Sequence, residues 1–79
     1  MTQTDSLKEA AQVRAEANAD VASQLLLEAV DAKPARQQEL VEQARIHVAA
    51  VQSWITPDSP QEAHDALREL TAAIKLFEN

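Results

Sequence analysis

Thr56-Pro57-Asp58-Ser59-Pro60-Gln61-Glu62 decides how this chain is divided. Pro57 stands at a turn-compatible position, and Ser59, Pro60 and Glu62 fall where an N-cap, a first helical residue and an N3 acid belong. One helix must stop before this stretch and another start within it. Downstream, from Pro60 to about Glu78, Ala63, Leu67, Leu70, Ile74 and Phe77 recur at helical spacing, flanked by Ala66 and Ala73. Glu62 and Asp65 sit near the positive end of that helix and Lys75 near its negative end.

Upstream, Pro34 to about Ile55 is a second amphipathic helix. Val41, Ala44, Val48, Val51 and Ile55 form its stripe, widened by Leu40, His47 and Trp54, with Gln38, Glu42, Arg45 and Gln52 opposite. Lys33-Pro34 sets its start, because proline turns the preceding residue away from helical geometry and suits a first turn. A tight turn at Asp31–Lys33 is expected. The alternative is a single helix kinked at Pro34, since no glycine or asparagine is present to end the preceding helix.

A first helix over about residues 6–31 precedes this boundary. Ser6 and Glu9 have capping-box spacing, and residues 1–5 read as a flexible N-terminus. Ala22, Leu25, Leu26, Ala29 and Val30 are amphipathic, whereas Val13 is the one large apolar residue between Ala10 and Ala19. The expected fold is an all-α, three-helix antiparallel bundle over a single domain, residues 1–79 (helices about 6–31, 34–55 and 60–78).

At ~1.5 Å per residue the helices reach about 39, 33 and 28 Å, so the first is longest and overhangs its partners around Leu7 to Val13. The expected core is Leu25, Leu26, Val30, Leu40, Val41, Val48, Val51, Trp54, Ile55, Leu67, Leu70, Ile74 and Phe77. That is little for 79 residues, and a bundle completed by oligomerisation follows as an expectation. Leu25-Leu26-Leu27 spans about 200° of helix surface, so Leu27 points outward. Ile46 and Leu76 also miss the stripes. With Leu7, Ala10, Val13 and Ala17 they form the candidate interface, for a second copy or a partner helix.

Composition narrows the chemistry. The chain has no glycine and no cysteine, so glycine-built phosphate loops, dinucleotide fingerprints, disulfides and thiolate-bound zinc are excluded. Thirteen acids against seven Lys and Arg give a net charge of −6, which opposes direct nucleic-acid binding and anionic membranes. The sequence lacks a signal-peptide core and a membrane-length apolar run, and the expected location is cytoplasmic.

His47 and His64 are preceded at three residues by Ala44 and Gln61, so no Glu-x-x-His motif exists; no metal and no cofactor are expected. His47 instead reads as a hydrogen-bonded histidine beside an apolar stripe, and His64 as solvated. Carboxylates are scattered along polar faces, without the contrasting pair that acid–base catalysis requires, so no enzyme is expected. The third helix leads with Glu62, Asp65 and Glu69, which would repel DNA phosphates.

The expected function is a non-enzymatic protein–protein interaction or assembly protein. One alternative is an oligomer sequestering a small anionic ligand such as a nucleotide through Lys33, Arg36 and Arg45. Another is an acidic inhibitor of a nucleic-acid-binding host enzyme, using Glu9, Glu16 and Asp20, although Lys8 and Arg14 interrupt that row.

Overall fold

The computed structural model describes residues 3–78. Its elements are α1 (Gln3–Val30), α2 (Pro34–Trp54) and α3 (Gln61–Leu76), with no strand among the described residues. The chain is an all-α three-helix bundle. Most of the tertiary contact lies between α1 and α2, which form a long antiparallel hairpin; α3 packs more lightly against both. The result is a rod of 49 × 16 × 15 Å. Its radius of gyration of 13.9 Å exceeds the roughly 11.6 Å of a compact 79-residue domain.

Pro34 separates two helices and does not kink one. Lys33 is extended (φ −67°, ψ 157°), as a residue before proline prefers, and α2 starts on Pro34. Without a glycine cap, the Ala29 carbonyl at the end of α1 accepts twice, from the Ala32 N–H at 3.2 Å and from Gln37 Nε2 of the next helix at 2.9 Å. At the far end α2 stops on Trp54, and Ile55 turns extended (φ −82°, ψ 136°) after its N–H reaches the Val51 carbonyl at 3.0 Å.

Both expected capping boxes are corrected. α1 already begins at Gln3, so Ser6 and Glu9 lie inside the helix. Of the five residues expected to be flexible, Met1 and Thr2 lie outside the described residues, and residues 3–5 belong to the first turn of α1. Ser59 does not cap α3; its hydroxyl accepts from the Thr56 N–H at 3.0 Å while its own N–H donates to the Thr56 carbonyl at 3.0 Å. This reciprocal pair closes the turn, and α3 starts one residue later than expected, with Pro60 as the cap residue.

The hairpin owes its closeness to alanine. Ala15, Ala22 and Ala29 repeat every seven residues along α1 and are buried, as is Ala44 on α2; Ala22, Ala29 and Ala44 have 0% exposure. A seven-residue repeat keeps one seam facing the partner helix, and methyl side chains let the backbones approach. Leu26, Leu40, Val41, Val48, Val51 and Ile74 complete the buried set. Leu25, Leu67, Leu70, Ile55 and Phe77 are only half-buried.

Two expected core residues are exposed. Val30 loses its place to Ala29, which takes the seam position, and Trp54, the last residue of α2, keeps 42% of its surface exposed. Leu27, Ile46 and Leu76 do point outward. The overhang is present too: residues 6–10 of α1 are exposed, as are Gln12, Val13 and Arg14.

Candidate functional site: an apolar groove between α1 and α3

The light packing of α3 leaves a trough along its junction with α1. Near the start of α3 it is lined by Ala15 and Ala19 of α1 facing Ala63 and Ala66 of α3, side chains too short to fill the space between two helices. Towards the end of α3 it widens over Leu26, Leu70, Ala73 and Phe77. The two parts share Ala19, Asp20 and Ala66, so the groove is continuous. It follows the length of α3, about 24 Å at 1.5 Å per residue.

Leu27, Val30 and Leu76 stand at the wide end with 64%, 63% and 76% of their surface exposed. Each carries an isobutyl, isopropyl or similar aliphatic surface held in water by a helix that offers nothing to cover it. Such residues scattered singly are ordinary; three around one concave strip form a patch.

The charged lining has one sign. Glu16 and Glu62 border the narrow part, Glu69 the wide part and Asp20 both; no Lys, Arg or His of the described residues lines either part. The basic residues of α3 lie elsewhere: Arg68 pairs with Asp65, and Lys75 borders a separate hollow beside Arg45 and Glu78.

Of the seven candidate interface residues, the structure brings together Leu27 and Leu76, with Val30 beside them. Leu7 lies in a different cleft, formed with Trp54 and the α2–α3 turn. Ala10, Val13 and Ala17 are exposed on α1 and Ile46 on α2, outside the groove. Residue spacing did carry a sign of the groove: Ala19, Ser23, Leu26, Leu27 and Val30 form a second small-or-apolar stripe on α1, next to the alanine seam. Reading it as a groove requires knowing where α3 lies.

The three candidate anion contacts do not converge. Arg36 Nη1 is 3.0 Å from Glu39 Oε2, and Arg45 Nη2 is 2.6 Å from Glu78 Oε1. Arg45 Nε sits 3.5 Å from Glu42 Oε1 without the alignment of a hydrogen bond. Lys33 is exposed in the turn before α2. A second hollow, on the Pro34 side of Arg45, is lined by Glu42 and Glu78 as well, which opposes an anion there.

His47 is occupied structurally. Its Nδ1 is 2.9 Å from Asn18 Oδ1, across the α1–α2 seam. Asn18 Nδ2 donates to the Arg14 carbonyl at 2.8 Å, which fixes the amide orientation and makes His47 Nδ1 the donor. His64 is half-buried near the start of α3, not fully solvated as expected. Among the described residues no group of three or more His, Asp or Glu is gathered for a metal ion, and no helix is long and apolar enough to cross a membrane.

Compared with protein-family models, with characterised proteins and with solved structures, the chain matches none. It stands as a small all-helical domain with an acidic-rimmed apolar groove along α3.

Proposed function

We propose that this chain is a non-enzymatic interaction module that docks a helix in the α1–α3 groove. The supporting observation is the exposure of Leu27, Val30 and Leu76 around a strip whose floor, Leu26 and Phe77, is already apolar. A helix laid there would bury aliphatic surface at about 25 cal/mol per Å², the usual driving force of helix-in-groove recognition. The carboxylates on the rim would set partner choice more than affinity. A cytoplasmic setting fits a chain whose stability draws on no disulfide.

The test compares the wild-type chain with L27D/L76D, both immobilised and exposed to extract of the cells that make it. Both positions are exposed, so the double variant keeps its helical circular dichroism. Proteins retained by the wild type and lost by the variant are the expected result. Retention of the same proteins by both would overturn the groove as the working surface.

A further inference from the structure

We infer that the occupant of the groove is a basic amphipathic helix of about four turns, carrying Lys or Arg along both edges of an apolar face. The inference rests on the docking role proposed above and adds the chemistry of the partner. Its first support is charge: Glu16, Asp20, Glu62 and Glu69 line the groove and no cation among the described residues does. A docked helix brings its flanking side chains to these carboxylates, and ammonium or guanidinium groups are the complement they would meet.

The same charges argue against a second copy of the chain as occupant. A twofold pairing through this groove presents the identical surface from both sides, so each set of four carboxylates meets its own kind. Each copy also carries a net charge of −6. Like charges at a shared rim penalise that pairing, while the apolar floor is indifferent to which helix covers it.

Length is the second support. The groove follows α3 over Gln61–Leu76, sixteen residues, and a partner helix of equal length reaches both ends. Its register is set by width. The narrow part, between Ala15, Ala19, Ala63 and Ala66, admits small side chains; the wide part, over Leu70 and Phe77, admits large ones. The occupant therefore carries its bulk near the end of α3.

The experiment uses the full chain and three stapled helices of about 18 residues with one Leu/Ala face and edges of Lys/Arg, Gln or Glu. Binding is read by fluorescence anisotropy at about 50 mM and about 500 mM salt, beside the variants L27D/L76D and D20K/E69K. The expected order is basic over neutral over acidic, with on the order of tenfold between the extremes at low salt and less at high salt. L27D/L76D should lose binding, and D20K/E69K, altered only at exposed residues, should reverse the order.

Equal binding of all three helices would overturn the basic-partner inference and leave helix docking intact. If none binds and light scattering shows a dimer that L27D/L76D dissociates, the occupant is a second copy, and again only the inference fails. If none binds and the chain is a monomer, the inference and the docking role both fall.

Discussion

Between α1 and α2, alanines leave solvent completely alongside Leu40 and Val51, while along α3 every large side chain but Ile74 stays partly in water. Ala22, Ala29 and Ala44 have no exposed surface, whereas Leu67, Leu70 and Phe77 keep part of theirs. Yet α3 has the cleaner amphipathic pattern of the two regions. Amphipathicity says which face of a helix seeks cover; it does not say how much cover the chain supplies. Alanine supplies closeness, and closeness makes burial complete in the hairpin. α3 has the face without enough neighbours, and the shortfall is the groove.

Truncation should separate the regions most strongly. Leu40 is 1% exposed, and Leu40→Ala should cost about 2–5 kcal/mol, the range of a buried leucine whose cavity cannot fully collapse. Leu70→Ala removes a side chain that water already reaches in part, and roughly 1 kcal/mol is expected. Urea midpoints at constant slope measure both. Equal costs would break the comparison, because Leu70 would then be as enclosed as Leu40.

Enlargement reverses the contrast with a smaller effect. Ala22→Leu forces a bulky side chain into a fully buried position of the seam and should cost about 1–3 kcal/mol. Ala66→Leu grows into the groove, where room exists, and should stay within about 0.5 kcal/mol of wild type. Thermal melts of both variants give the answer. A large loss at Ala66 would mean that the groove is shallower than its lining implies.

The seam explains where sequence reading stopped. The helix breaks were legible because Pro34 and the Pro57–Pro60 turn act locally, on backbone dihedrals and missing N–H donors. Leu27, Ile46 and Leu76 could be placed outside because spacing alone puts them off the stripes. Counting large side chains as the core, however, passed over Ala15, Ala22 and Ala29, whose value lies in what they permit a neighbouring helix to do. With those alanines in the seam, Val30 is turned out to the groove. Its partners there, Leu76 and Phe77, lie over forty residues away in the chain, so the stripe on α1 marks only one wall of the site.

The polar pair inside the hairpin offers a finer probe. Asn18 and His47 meet across an otherwise apolar seam, and one hydrogen bond of 2.9 Å joins them. Asn18→Ala leaves the His47 donor without that partner and should cost about 1 kcal/mol, less if water replaces it. A shift in the His47 imidazole resonances, with α3 amides unmoved, would locate the loss in the seam. A concurrent change at Leu70 or Phe77 would instead show that the hairpin and α3 respond as one unit.

The smallest effect is expected where α3 is tied to the hairpin by charge. Arg45 and Glu78 join α2 to the residues after α3, with Nη2 2.6 Å from Oε1, and both side chains remain over 40% exposed. At that exposure the Coulomb attraction is screened by water and partly cancelled by ordering two long side chains. A double-mutant cycle with Arg45→Met and Glu78→Gln should therefore give a coupling below about 1 kcal/mol that shrinks further as salt rises. Methionine keeps most of the arginine stem in place, so the cycle isolates the charge. A salt-insensitive coupling above about 2 kcal/mol would show that electrostatics, not the half-buried Leu67, Leu70 and Phe77, holds α3 in place. In that case the exposed apolar strip would owe its shape to one ion pair, and removing Arg45 should release α3 and dismantle the groove along with the bond.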